Sequence, residues 1–165
     1  MASHNFGHDV AVAWIRETFP ENSEILDVGA CDGKWRSMLP EYKNIDAVEV
    51  WEPNAIHIKP MYRDVFNASI VGLKYKIYDL IIFGDVIEHL TVEDAQKVLK
   101  YAKTHCKDMI VAVPFLYPQD AIYGNPYEVH KQPDLTAKLF DERYPGFEVL
   151  HDTGRNYCFY HRVKK

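Results

Sequence analysis

An apolar run, Ile25 to Val28, carries Asp27 and passes straight into a short turn pinned by Gly29 and Gly33, in the stretch I-L-D-V-G-A-C-D-G. A glycine-pinned turn after a buried strand lets the backbone come close to a ligand, with amides exposed at the start of a helix. A second apolar run, Ile45 to Val50, carries Glu49 at its end. A carboxylate about twenty residues beyond the turn can accept both ribose hydroxyl hydrogens of a bound nucleoside. Turn and acid together point to a nucleoside-containing ligand.

The spacing narrows the choice. A dinucleotide fingerprint places its glycines as G-x-G-x-x-G, which admits a pyrophosphate to a helix N-terminus. Here they fall as G-x-x-x-G, Cys31 stands where a middle glycine would be, and Asp27 and Asp32 bracket the turn. Two carboxylates repel a pyrophosphate but suit a ligand with an ammonium group. S-adenosylmethionine has an ammonium, a sulfonium and no phosphate. The stretch resembles motif I of the class I S-adenosylmethionine-dependent methyltransferases, written D-x-G-x-G-x-G, with a small side chain in place of the middle glycine. The resemblance implies that Asp27, Gly29, Ala30, Cys31 and Gly33 bind the cofactor. An ordinary strand-to-helix turn with two glycines is the competing reading of the same residues.

The resemblance extends along most of the chain. I-D-A-V-E-V-W-E-P (Ile45 to Pro53) is similar to motif II, which implies that Glu49 binds the ribose and Val50 packs on the adenine. Trp51 either adds an aromatic wall or packs internally. In N-A-S-I, Ser69 and its neighbour Ile70 occupy the place where the family has an aspartate on the adenine amino group. A hydroxyl accepts that hydrogen bond more weakly; Asp64 would be the acid only in a shifted register, and it reads as the start of a strand. Y-D-L-I-I-F-G-D-V-I-E-H-L (Tyr78 to Leu90) is similar to the fourth motif, where D-V-x-E-H leaves the strand beside the methyl group. Asp85 then faces the cofactor, and His89, one turn on, is a candidate general base because imidazole titrates near neutrality. Alternatively, Glu88 and His89 order the helix entry and contact the cofactor edge. Y-G-N-P-Y-E-V-H-K (Tyr123 to Lys131) resembles a segment found after the fifth strand in a subset of small methyltransferases. It brings Tyr123, Tyr127, Glu128 and His130 towards the open end of the sheet. There it is either a substrate lid, with His130 as base or positioning group, or an Ω-loop whose Asn and Pro make a turn.

These residues need a scaffold, and the hydrophobic pattern predicts one. Helices are expected at His8–Phe19, at Lys34–Leu39 before Pro40, at Thr91–His105, and from a cap at Asp134 or Thr136 to about Tyr144. Strands are expected at Ile25–Val28, Ile45–Val50, Asp64–Asn67, Tyr78–Phe83, Met109–Val113, Phe147–Leu150 and Tyr157–Arg162. Leu80, Ile81, Ile82 and Phe83 do not alternate with polar residues, as befits a strand buried on both faces. Pro53 and Pro60 abbreviate the crossover between the second and third strands. Phe115–Gln132 reads as a long loop, a feature that usually has a functional reason. The expected fold is α/β: a Rossmann-like class I methyltransferase sheet, mostly parallel, with an antiparallel C-terminal hairpin and helices on both faces.

Composition bounds the function. A chain of 165 residues, 47% hydrophobic and 26% charged, is expected to form one domain over residues 1–165. A net charge of −5 argues against a broad nucleic-acid footprint. Cys31, Cys106 and Cys158 form neither a C-x-x-C pair nor a disulfide framework, so no metal site is expected from spacing. No signal-peptide pattern opens the chain and no apolar run is long enough to span a bilayer, which makes cytoplasmic the default. The expected activity is transfer of a methyl group from S-adenosylmethionine to a small molecule, metabolite or sugar, leaving S-adenosylhomocysteine. The alternatives are a catalytically silent protein of the same fold that binds S-adenosylmethionine or a protein partner and, less favoured by the glycine spacing, a nicotinamide oxidoreductase.

Overall fold

Runs of buried aliphatic residues alternate with amphipathic segments, and each element takes its place from that alternation. The computed structural model describes residues 6–163; the N-terminal reading rests partly on residues 1–5, which lie outside the described residues. In chain order the helices are α1 (His8–Thr18), α2 (Lys34–Met38), α3 (Glu52–Ile58), α4 (Val92–Lys103) and α5 (Ala137–Arg143). The strands are β1 (Ile25–Val28), β2 (Ile45–Val48), β3 (Asp64–Phe66), β4 (Tyr78–Gly84), β5 (Cys106–Pro114), β6 (Phe147–Asp152) and β7 (Tyr157–Arg162).

The strands make one seven-stranded sheet in the order β3-β2-β1-β4-β5-β7-β6. β1 to β5 are parallel, whereas β7 inserts antiparallel between β5 and β6. The chain builds outwards from β1 through β2 to β3, then returns to place β4 on the other flank of β1. Loops leaving the C-terminal ends of β1 and β4 therefore diverge, which opens a crevice at that edge.

Helices cover both faces, as expected. One apolar cluster joins Ala11 and Ile15 of α1, Trp35 of α2 and Ile58 of α3 to Ile25, Ile45 and Ile82. The other joins Val98, Leu99 and Ala102 of α4 and Phe140 of α5 to Leu26, Val28 and Ile81. Neighbours Ile25 and Leu26 thus enter opposite cores, the period-two alternation of a strand.

Local chemistry sets the boundaries. Thr91 Oγ1 accepts the Asp94 N–H at the head of α4, and Thr136 Oγ1 accepts the Leu139 N–H at the head of α5. Pro53 sits in the first turn of α3, where its missing N–H costs nothing, and the crossover helix is short. The strand expected to begin at Met109 begins at Cys106 instead. Polar Lys107 and Asp108 hid its first turnings: Lys107 reaches out to Asp79 at 2.6 Å, and buried Asp108 Oδ1 accepts the Met109 N–H at 2.8 Å.

At the end of the sheet opposite the crevice, Arg63 ties three segments together. Its Nε and Nη2 donate to Asp46 at 2.8 and 2.7 Å, and its Nη1 and Nη2 to Glu24 at 3.0 and 2.6 Å. Asp46 is buried and also accepts the Tyr78 hydroxyl at 2.8 Å. Arg63→Met should cost roughly 1.5–3 kcal/mol, the range for hydrogen bonds to a charged group, read as a lower urea midpoint at unchanged slope. The Arg63 and Lys76 cations hold Glu24 down at about 2, below its ordinary 4.5. That contribution is present above pH 4.5 and is lost as pH falls towards 2, so the gap between variant and wild type should narrow in acid.

Candidate active site

The turn after β1 is shaped by backbone conformation. Gly29 has φ +70°, and a Cβ there would meet Val86 Cγ2 at 2.6 Å. Gly33, at φ +80°, precedes α2, and a Cβ would meet Met61 Cε at 2.5 Å. Both positions therefore disfavour any larger residue. The Gly29 N–H donates to the Val48 carbonyl at 2.8 Å, which locks the turn to β2.

Glu49 follows β2 and is buried. Its Oε2 accepts the Cys31 N–H at 2.9 Å and its Oε1 accepts the Trp51 N–H at 2.8 Å. Each carboxylate oxygen still has acceptor capacity. Burial pushes the Glu49 carboxyl up, against the pull of these amides. Asn67 Nδ2 donates to the carbonyls of Glu49 at 2.9 Å and Val50 at 3.2 Å, fastening the segment after β3 beside them.

A cleft of about 330 Å³ opens at this edge of the sheet. Val28, Val48, Val50, Ile70 and Val86 give it apolar walls, while Glu49, Asp85, Asp94 and Glu128 line it with carboxylates beside Lys131. Of the residues singled out from sequence, Gly29, Cys31, Glu49, Val50, Ser69, Ile70, Asp85 and His89 all line this one cleft. Asp27, Ala30, Gly33 and His130 are not among its lining residues. Asp27 is fully buried within β1, and its Oδ2 accepts the Tyr62 hydroxyl at 2.6 Å. Trp51 and Tyr123 also fall outside the lining, Tyr123 being 82% exposed. Burial and nearby carboxylates push the Cys31 thiol up to about 12, which disfavours the thiolate form.

Beyond β4 the chain makes a single 3₁₀ turn, Ile87–His89, that buries Glu88. Neither Glu88 carboxylate oxygen has a hydrogen-bond partner among the described residues. Burial, then the Asp85 charge, raises this carboxyl well above its ordinary value. The rings of His89 and His130 meet edge to face with centroids 4.6 Å apart. His89 Nδ1 lies 3.3 Å from the Val129 carbonyl and His130 Nδ1 lies 2.6 Å from the Tyr117 carbonyl. A carbonyl only accepts, so both rings carry hydrogen on Nδ1 and keep a lone pair on Nε2. Burial and then the His130 charge lower His89 to about 4, and burial lowers His130.

Gln132, which no sequence motif marked, holds the long loop in place. Its Nε2 donates to the carbonyls of Ile87 at 2.8 Å and Leu90 at 3.1 Å. Its Oε1 accepts from Arg143 Nη1 at 3.1 Å and the Tyr144 hydroxyl at 2.7 Å. The loop also folds on itself: Asn125 Oδ1 caps the Tyr127 N–H at 3.0 Å, and Gln119 Nε2 donates to the Glu128 carbonyl at 2.7 Å. It thus has the internal bonding of an Ω-loop while Tyr127 and Glu128 line the cleft.

Asp27 supplies a pH test. Burial pushes it up to about 7, with the Tyr62 hydrogen bond opposing and the Glu49 charge adding. The folded chain therefore holds a proton that the unfolded chain releases near 3.8. This contribution to stability is full below pH 3.8 and is lost as pH rises towards 7. Asp27→Asn should flatten that part of the stability profile by about one proton's slope, measured by chemical unfolding across the range.

No protein-family model and no curated protein matches the sequence. Solved structures do match in fold. An S-adenosylmethionine-dependent methyltransferase from Clostridium acetobutylicum superposes with TM-score 0.73 at 14% identity, over 95% of this chain and 90% of that one. DhpI, solved as a complex with S-adenosylhomocysteine (SAH), gives TM-score 0.71 at 10% identity, over 96% and 85%. The sugar N-methyltransferase KedS8 from Streptoalloteichus gives 0.69 at 11% identity, over 99% and 89%. The sheet order, the antiparallel seventh strand and these likenesses give the chain the class I S-adenosylmethionine-dependent methyltransferase fold.

Proposed function

We propose that this chain transfers a methyl group from S-adenosylmethionine to a small-molecule, metabolite or sugar acceptor and releases S-adenosylhomocysteine. The observation that carries this reading is the cleft at the ends of β1, β2 and β4, which joins an apolar wall to a rim of carboxylates. A cationic ligand with a flat apolar base suits such a lining, and a pyrophosphate does not. KedS8, a sugar N-methyltransferase, supports a sugar among the candidate acceptors. The three unpaired cysteines support a reducing compartment such as the cytoplasm. No helix among the described residues is long and apolar enough to cross a membrane.

In this reading Glu49 accepts the ribose hydroxyl hydrogens with the lone pairs its amide partners leave free, while Val50 and Ile70 pack on the adenine. Ser69 Oγ already accepts the Val71 N–H at 3.2 Å, which orients the hydroxyl at the adenine end. The turn through Gly29, Ala30, Cys31 and Gly33 holds the backbone close to the ligand, with Asp27 behind it and Asp85 on the facing side. S-adenosylmethionine, when bound, supplies a methyl group already activated on a sulfonium. What remains for the protein is alignment of the acceptor and removal of its proton. The Nε2 lone pairs of His89 and His130 are candidate acceptors for that proton.

Calorimetry should show binding of S-adenosylmethionine and S-adenosylhomocysteine in preference to NAD; tighter binding of NAD would overturn the cofactor class. Glu49→Ala should weaken binding by roughly 1.5–3 kcal/mol. Because Glu49 also anchors two amides, Glu49→Gln provides a milder variant, expected to bind more weakly than wild type at unchanged circular dichroism. Once an acceptor is found by activity screen, His130→Ala should lower turnover at nearly unchanged cofactor affinity. Binding without turnover across such a screen would favour the silent alternative.

A further inference from the structure

We propose that Glu88, His89 and His130 form a binding site for one divalent transition-metal ion. Their candidate ligand atoms all lie within 4.8 Å of one another, and His89 Nε2 is 3.8 Å from Glu88 Oε1. Two imidazoles and one carboxylate are a recognised three-ligand set for ions of this class.

Three independent features of the surroundings support the assignment. Glu88 is 1% exposed, yet neither of its carboxylate oxygens has a hydrogen-bond partner among the described residues. A buried carboxylate without a partner is costly, and a cation removes that cost. Both histidines donate from Nδ1 to backbone carbonyls, of Val129 and Tyr117, which leaves Nε2 free to coordinate. That is the outer-shell arrangement that orients metal-binding imidazoles. The donors are also held in place: the Glu88 carbonyl accepts the N–H groups of Lys131 at 2.8 Å and Gln132 at 3.1 Å, which clamps the 3₁₀ turn to the segment carrying His130.

Two nitrogen ligands favour zinc, manganese, iron or cobalt over magnesium and calcium, which prefer all-oxygen shells. Three protein ligands leave coordination positions open, and His89 lines the proposed cofactor cleft. Metal uptake itself does not rest on the methyl-transfer reading. If that reading also holds, ion binding would occupy the Nε2 lone pairs otherwise available to take a proton.

The test uses the full chain, stripped with chelator and without cofactor, titrated with Zn²⁺, Mn²⁺, Co²⁺ and Mg²⁺. The expected result is one equivalent of a transition-metal ion, at least about tenfold weaker in Glu88→Gln and His89→Ala, and lost in the His89→Ala/His130→Ala double variant. His57→Ala, an exposed histidine elsewhere, should bind as wild type does. Absence of stoichiometric uptake by wild type, preference for Mg²⁺, or undiminished uptake by a folded double variant would overturn the proposal. Should the double variant fail to fold, the Co²⁺-loaded wild type decides: visible ligand-field bands of a mixed nitrogen–oxygen shell are expected, and the hexaaqua spectrum alone would overturn the site. Calorimetry with S-adenosylmethionine on the same metal-free sample separates failure of this site from failure of the cofactor reading.

Discussion

The buried Glu49 carboxylate holds the end of β2 against the turn after β1. One oxygen takes the Cys31 amide and the other takes the Trp51 amide at the start of α3. The left-handed glycines make this turn possible, but the carboxylate supplies its polar anchor. Desolvating an acid is tolerable here because two backbone donors stabilise its charge, and the same donors orient it at the cleft wall. The cleft wall therefore depends on a bridge that also organises the local backbone.

Buried polarity is handled differently at the two ends of the sheet. At the end carrying Arg63, the Asp46 carboxylate meets a guanidinium and a phenol. At the cleft end, Asp27 retains one carboxylate oxygen, and Glu88 both, without a hydrogen-bond partner among the described residues. A fold that only needed stability would gain by pairing or removing such groups, because an unpaired buried acceptor costs about 1–3 kcal/mol. Both of these acids stand near the crevice, Asp27 in β1 before the glycine turn and Glu88 in the 3₁₀ turn after β4.

The long segment after β5 is held by specific bonds as well as covering apolar surface. Gln132 spans four partners, Ile87 and Leu90 at the 3₁₀ turn and just past it, and Arg143 and Tyr144 at the end of α5 and just past it, so movement of either would be felt by the loop. His130 belongs to this ordered segment and packs edge to face against His89. The same hydrogen bonds that satisfy the loop's backbone place Tyr127 and Glu128 at the cleft. A self-folded loop and a wall of the site are here one object.

Short-range pattern determined much of this molecule. Unbroken apolar runs defined β1 and β4, threonines capped α4 and α5, and the G-x-x-x-G turn with Glu49 located the cleft, because each signal lies within a few residues of what it controls. The tertiary structure decided which acids line the cleft. Asp27 and Glu49 both sit near strand ends, but Asp27 points back to Tyr62 while Glu49 lines the cleft. Strand pairing and twist settle that orientation, and spacing does not carry it. Likewise, the sequence placed His89 and His130 in separate motifs and gave Gln132 none. Only the packing of the loop onto the 3₁₀ turn brings two imidazoles and Glu88 together, since their proximity arises from long-range hydrogen bonds that no local periodicity records.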